Sequence, residues 1–342
     1  MAAASITNPV YTASLVKADG TTYKLKGAMQ DLVESHGKDD LAEKVTLSVV
    51  NVKVGTSYLH SIISLRDQLY VYADTGSGAK ETFRGYVWER TAMTDADSSE
   101  MKLICYDRLI YFHKSKDNLF VKKGKKTKDV VTSLAKKWGF TVSFKYSSIT
   151  HTQLIYHDKS IADILIDILD KVKKKTGKDY VIRMDKNVIV IDHVGTNSTV
   201  YKIADKSNAL SVNYKQTMEG VVTKVQIVKA ETVTKSGKTE DTGKYLTVTN
   251  VSKNTDKYGT IQNILVKEKD DKLADVKTEA NEILKENAEP KQEVDVKAVD
   301  NPLVRKGDKV YVSAGNLGNY YIVQGIEHDA TDGTMYLEVK KA

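Results

Sequence analysis

DQLYVYA, Asp67 to Ala73, recurs late in the chain as DKVYVSA, Asp308 to Ala314. Each copy opens on Asp and then alternates, the period-two pattern of a half-buried strand. The echo continues downstream. FRGYVWER (Phe83 to Arg90) is matched by IVQGIEHD (Ile322 to Asp329), and each carries a glycine, Gly85 or Gly325, inside the strand. After a turn, SSEMKLICYD is matched by DGTMYLEVKK, which pairs Met101 with Met335. From Asp to Gly the spacings are 18 and 17; from Gly to Met they are 16 and 10, a turn-length difference. Glycine within a strand marks a bulge or sharp bend, as barrel corners need. Generic meanders share such patterns, but two small β-barrels in one chain is the natural reading.

The flanking segments agree. KVTLSVVNV alternates, with Val45, Leu47, Val49 and Asn51 on one face. Polar turns, DTGSGAK and MTDADSS, separate the first strands. In the last third, ALSVNYK, GVVTKVQIVKA, GKYLTVTNV and TIQNILVKE read as strands, with TKSGKTEDTG as a hairpin tip and Tyr258-Gly259 as a turn. TIQNILV is expected to be a strand of the second barrel. A helix over 270–289 follows, with Leu273, Val276, Ala280, Ile283, Leu284 and Ala288 as its apolar positions and Pro290 as its end.

The middle changes period. TKDVVTSLAKKWGF predicts a helix with Thr127 as N-cap, Gly139 as stop, and Val130, Val131, Leu134 and Trp138 as one stripe. SIADILIDILDKVKKKTG predicts a second, opened by a Ser160/Asp163 capping pair and closed by lysines and Gly177. DYVIRMDKNVIVIDHV is a hairpin turning at DKN. The expected class is therefore mainly β with an α+β insertion: two related small antiparallel β-barrels plus a middle α/β domain. The expected boundaries are 1–115, 116–195 and 196–342, the last with the inserted helix 270–289.

Composition narrows the function classes. The chain has 342 residues, 41% hydrophobic and 28% charged, an ordinary globular balance. Its 52 Lys and Arg exceed 45 Asp and Glu by +7, yet only six of the basic residues are arginines. Nucleic-acid readers favour arginine forks, so the excess reads as solvated surface and no specific nucleic acid is expected. Cys105 stands alone, which excludes a disulfide framework within one chain and a thiolate-rich metal site. MAAASITNPV lacks the pattern of a signal peptide, no apolar run reaches the length of a membrane span, and assembly in a cytoplasm is expected.

No catalytic, cofactor-binding or metal-binding residue is assigned. His151, His157 and Asp158 come nearest to a metal cluster but read as exposed loop residues. TGSGAK lacks phosphate-loop spacing and lies between strands. No GxSxG occurs, and none of the 45 acids has a distinctive setting. VKKGKKTK (Val121 to Lys128) and KVKKKTGK (Lys171 to Lys178) are basic but lack interleaved aromatics.

In their order, FRGYVWER, LICYDRLIYFHKSKDNLFVKKGKKTKDVVTSLAKKWGF, TGKDYVIRMDKNVIVID, DKYGTIQNILVKEKDDK, ANEILKENAEP and the final VRKGDKVYV to TMYLEV resemble the baseplate hub proteins of contractile phage tails, as in PBSX-type prophages and R-type tailocins. The likeness runs from about Leu65 to the end. KKGKKTKDVVTSLAKKWG alone looks LysM-like. The resemblance implies a non-enzymatic homotrimer, a symmetry adaptor whose six barrels form a ring between the hexameric tail tube protein and the trimeric central spike protein. Baseplate wedge or LysM-type tail proteins and the tape measure are implied as further partners, with no membrane and no cofactor. The implied location is the baseplate of a virion or tail-like particle. The alternative is a peptidoglycan-binding or peptidoglycan-cleaving tail protein.

Overall fold

Antiparallel pairing turns the echoed strands into matching sheets. A computed structural model describes residues 8–94, 99–235, 238–267 and 271–342. It divides into two units, one of residues up to Asn213 together with Val294–Ala342, the other Tyr214–Glu293.

The first unit begins with β1 (Val10–Val16), β2 (Thr22–Lys24), β3 (Met29–His36), β4 (Lys44–Val50), the short β5 (Lys53–Val54) and β6 (Ser57–Tyr58), α1 (Leu59–Ile62), β7 (Gln68–Asp74), β8 (Ala79–Thr94) and β9 (Ser99–Tyr106). These run β3-β4-β9-β8-β7-β1-β2 across the sheet. Alternation puts Leu32, Val45, Leu47, Val49, Leu69, Val71, Phe83, Met101 and Leu103 into one core. TGSGAK is the β7–β8 hairpin tip, where Asp74 Oδ1 accepts from the amides of Gly76 and Gly78 at 2.8 and 3.0 Å. The centre of the expected MTDADSS turn, residues 95–98, lies outside the described residues.

Next come α2 (Ile110–Lys114), β10 (Lys116–Val121), α3 (Thr127–Lys137), β11 (Thr141–Phe144), β12 (Leu154–Ser160), α4 (Ile161–Thr176), β13 (Tyr180–Asp185) and β14 (Val188–His193). Ile161, Ile164, Leu165, Ile168, Leu169 and Val172 form the buried stripe of α4, Ser160 Oγ accepts from the Asp163 amide, and Gly177 closes the helix at φ 67°. Thr127 is corrected: the N-cap of α3 is Lys126. The Thr127 hydroxyl is instead spent on Ile149 and on His151 Nε2 at 2.9 Å. This lobe's core reaches past 116–195 to include Leu41, Leu109 and Phe112.

The remaining elements are β15 (Tyr201–Ala204), β16 (Ala209–Thr217), β17 (Lys224–Lys235), β18 (Lys238–Ser252), α5 (Thr255–Tyr258), β19 (Gln262–Val266), α6 (Leu273–Asn287), β20 (Lys291–Val299), β21 (Lys309–Ser313), β22 (Asn319–Asp329) and β23 (Thr334–Lys341). The second barrel packs Ile203, Val294, Val296, Val310, Val312, Val323, Met335 and Leu337 into its own core. β22 also pairs with β3, Ile326 facing His36, so thirteen strands make one sheet.

The repeat holds in hydrogen-bond register and extends to a fourth strand. β4-β9-β8-β7 and β20-β23-β22-β21 have the same order. Val49 faces Met101 and Leu47 faces Leu103; correspondingly, Ala298 faces Met335 and Val296 faces Leu337. Asp67 accepts from the Ser64 amide at 2.7 Å, as Asp308 does from Arg305 at 3.0 Å. The preceding residue has positive φ in both, Arg66 at 69° and Gly307 at 87°. The glycines do not correspond. Gly85 faces Leu69, whereas the residue facing Val310 is Tyr321, and Gly325 follows a bulge opposite Glu338. Each is required separately, because a Cβ at Gly85 would collide with the Tyr106 carbonyl oxygen and one at Gly325 would lie 2.9 Å from the Lys38 amide.

The second unit corrects the reading of TIQNILV. β19 is not a barrel strand: it pairs parallel with β17 in a separate sheet ordered β18-β17-β19. The expected helix is shorter, Leu273–Asn287, and its Val276, Ala280 and Leu284 cover Val225 and Ile227. β18 and β19 lie on opposite sides of β17, so α5 and the Gly259 turn carry the chain from β18 past β17 into β19. Residues 236–237 of the expected hairpin tip and 268–270 ahead of the helix lie outside the described residues.

Leu103→Ala and Leu337→Ala, register equivalents, should each destabilise the first unit by about 2–5 kcal/mol in denaturant titration. Leu284→Lys should remove amide-exchange protection from β17, β19 and α6 while leaving the barrel strands protected.

Candidate assembly surfaces and the buried charge network

The histidines and acids that looked unremarkable in sequence include a buried network in the first unit. Asp300, before the final meander, accepts from Tyr11 Oη of β1 at 2.6 Å and from His328 Nδ1 of β22 at 2.6 Å. His328 Nε2 faces the Val304 carbonyl at 3.1 Å. Both ring nitrogens face acceptors; burial, the largest single influence, lowers the His328 pKa, but the Asp300 hydrogen bond and charge, Glu34 and the Val304 carbonyl together raise it. On β3, Glu34 is buried and accepts from Thr82 Oγ1 at 2.9 Å. Desolvation, then repulsion from Glu43, pushes its carboxyl well above the usual range.

Arg305 ties the three parts of this unit. Its guanidinium donates to the Met184 carbonyl of β13 at 2.9 Å and pairs with Glu43 at 3.4 Å. Asp107 accepts from the Glu43 and Leu109 amides at 3.1 and 2.8 Å, and burial pushes it to about 8. Lys306 donates to the carbonyls of Gly37, Lys38 and Asp40 at 2.7–2.9 Å, and desolvation lowers it to about 8. His36 sits beside that loop, its Nε2 on the Asp40 carbonyl at 3.1 Å; burial and nearby Lys306 and Arg305 lower it to about 3. None of these residues carries a local motif, which is why pattern reading missed them.

The geometry is that of a clamp. An adjoining cleft of about 360 Å³ is lined by Lys38, Asp40, Asp170, Lys173, Asp179 and Lys306 among others. Its charges largely answer one another: Lys173 and Lys340 lie 2.8 and 4.0 Å from Asp179. Among the described residues no group of three His, Cys, Asp or Glu side chains could hold a metal ion. His151, expected in an exposed loop, is buried, and Asp158 pairs with Lys116 at 3.2 Å. Cys105 lies in the first barrel core, where burial raises its thiol.

Exposed apolar residues mark candidate contact surfaces. Phe120 and Ile155 face each other across β10 and β12, 57% and 54% exposed. In the second unit, Tyr245, Ile264 and Val266 are exposed. There a Gln262–Gln226–Thr247 ladder crosses all three strands at 2.8 and 2.6 Å. Among the described residues no helix is long and apolar enough to cross a membrane.

A protein-family description reading YQBQ-like matches residues 39–340. This chain belongs to the YQBQ-like family. It is 24% identical over 313 residues to the phage-like element PBSX protein XkdQ of Bacillus subtilis, covering 87% of this chain and 92% of that protein. Its fold is similar to the 43 kDa tail protein of prophage MuSo2 from Shewanella oneidensis, with TM-score 0.71, 13% identity and coverage of 97% and 98% of the two chains. It is also similar to the E. coli c3393 protein, a type VI secretion component described as resembling the T4 tail proteins gp27 and gp5, with TM-score 0.55, 8% identity and coverage of 92% and 74%. The YQBQ-like chain thus has the fold of phage tail proteins, and the mainly β class with an α+β insertion expected from its sequence stands.

The network's pH response has two opposing parts. Glu34 and Asp107 hold protons in the folded state that the unfolded chain releases, so their contribution to stability declines as pH rises from the ordinary carboxylate range to about 8. His36 stays neutral when folded, so its contribution declines as pH falls from its ordinary 6.5 towards about 3. Glu34→Gln should flatten the stability–pH curve between about pH 5 and 8, and His36→Gln below about pH 6, as read by denaturant midpoints across pH.

Proposed function

We propose that this protein is the hub of a contractile tail baseplate: a homotrimer that adapts a hexameric tail tube to a trimeric central spike. The observation that carries this reading is the register-matched four-strand repeat. One chain presents the same β4-β9-β8-β7 platform a second time as β20-β23-β22-β21. Three copies then offer six related platforms, which a closed ring of heterologous contacts can place near sixfold symmetry. A tube-facing surface would read the shared platform, and a spike-facing surface would read what differs between the two barrels. The task is geometric and non-enzymatic. It suits a buried network whose donors and acceptors are matched internally.

In this reading, residues 1–115 and 196–342 supply the ring, and 116–195 form an outer lobe for wedge or LysM-type tail proteins, with the tape measure as an axial partner. The second unit belongs to the 196–342 segment as an accessory body. The particle is a virion or tail-like particle put together in the bacterial cytoplasm.

Light scattering tests the proposal. The purified chain, alone or mixed with its tube or spike protein, should show three times the 38.0 kDa chain mass or complexes built on that trimer. A strict monomer in every mixture overturns it. Purified peptidoglycan should leave the protein in the supernatant, and a pelleted protein would favour the wall-binding alternative.

A further inference from the structure

The chain's basic excess is concentrated. Residues 116–195 hold 17 Lys and Arg against 9 Asp and Glu, a net of +8 in a chain whose total is +7, so the remainder is close to neutral. The two lysine-rich segments of this lobe are brought together at His151. The Gly124 amide donates to the His151 carbonyl and the His151 amide to the Lys125 carbonyl, both at 2.9 Å. α4 lies along β12, for Asp167 accepts from Tyr156 Oη and from Lys171, both at 2.6 Å. Lys175 follows one turn later on the same side. The low His151 pKa has burial as its main cause and Lys171 and Lys175 as further ones, as expected if both segments converge there.

Lys122, Lys123, Lys125, Lys126, Lys128 and Lys175 are all exposed on this lobe. Among the described residues none of the six is in an ion pair. Helix amides are not the attraction, since the first two of α3 are taken by the Ile149 carbonyl and Ser148 Oγ. A face of unpaired lysines repels itself and gains from an anionic neighbour.

The same chain carries a surface of opposite sign. Along α6, Asp275, Glu279, Glu282 and Glu286 recur at steps of four, three and four, so they form one stripe. The stripe lies away from the buried Val276, Ala280 and Leu284, and none of the four carboxylates is in an ion pair among the described residues.

We propose that the lysine face of the 116–195 lobe is the docking surface for the acidic stripe of α6 in a second copy of this chain. The inference rests on the trimeric hub reading and adds the contact that orients its protomers. Charge complementarity carries it: the lobe's excess is unmatched within the lobe, and a stripe of four carboxylates spaced for one flat contact stands on the other unit. Two different surfaces meeting make a heterologous contact, the kind that closes a ring of three. Lysines on flexible stems give steering and register rather than a rigid buried pair.

Charge reversal with light scattering tests it. One variant carries Lys122→Glu, Lys125→Glu, Lys126→Glu and Lys128→Glu; the other carries Asp275→Lys, Glu279→Lys, Glu282→Lys and Glu286→Lys. Each alone should raise the concentration at half-trimerisation about tenfold or more, and salt should weaken the unaltered trimer. Combining both sets should bring the midpoint back near that of the unaltered chain. A Glu→Gln and Asp→Asn version of the α6 set should give a smaller shift, and it serves where the lysine version lowers helix content by circular dichroism. Unchanged midpoints in the single sets, or no recovery in the combined set, overturn the contact while the trimer stands. If the lysine set loses retention on a duplex-DNA column yet trimerises normally, the face serves a polyanion and the contact is overturned. An unaltered chain that never trimerises removes the hub reading first and this contact with it.

Discussion

The Arg305 guanidinium is held by the first unit at a point that only one arrangement of its parts allows. It meets Glu43 from the loop after β3 and the Met184 carbonyl of β13, while its own amide is fixed by Asp308. A buried carboxylate deprived of its partner is expensive, so a shifted barrel or a displaced lobe would strand Glu43. Such a network adds little net stability over an apolar core of the same volume, but it penalises alternatives. Lys306 does the same for the 37–40 loop by donating to three carbonyls, against which the Gly325 backbone packs closely.

Duplication and clamping answer different needs. The repeated four strands offer one surface twice, as the proposed hub would require. The clamp then fixes where the two copies stand, through the β22–β3 pairing and the Tyr11–Asp300–His328 chain. Features that differ between the copies gather where the clamp sits. Gly307 replaces Arg66 at the positive-φ position because a Cβ there would lie 2.7 Å from the Val181 side chain.

The second unit is built on another principle. Its three strands include a parallel pair, and one amphipathic helix supplies its core from Val276, Ala280, Leu284 and Ala288. Its outer sheet face stays polar and partly apolar, with the Gln ladder beside Ile264 and Val266.

The sequence by itself determined the local periods and the echo. Period-two runs set which residues face each barrel core, the Ser160 and Gly177 signals bounded α4, and Asp67 and Asp308 marked equivalent turns, because these depend on neighbours along the chain. Only the tertiary structure decided partners. TIQNILV is equally good as a barrel edge or as a parallel strand, and long-range pairing chose the latter. Gly85 and Gly325 looked alike, but their reasons are contacts with Tyr106 and Lys38, residues distant in sequence. Thr127 had the chemistry of a cap and was recruited by His151 instead. The buried network was illegible for the same cause: Tyr11 and Asp300 are separated by 289 positions, and a carboxylate has no sequence mark of burial until the fold removes its water.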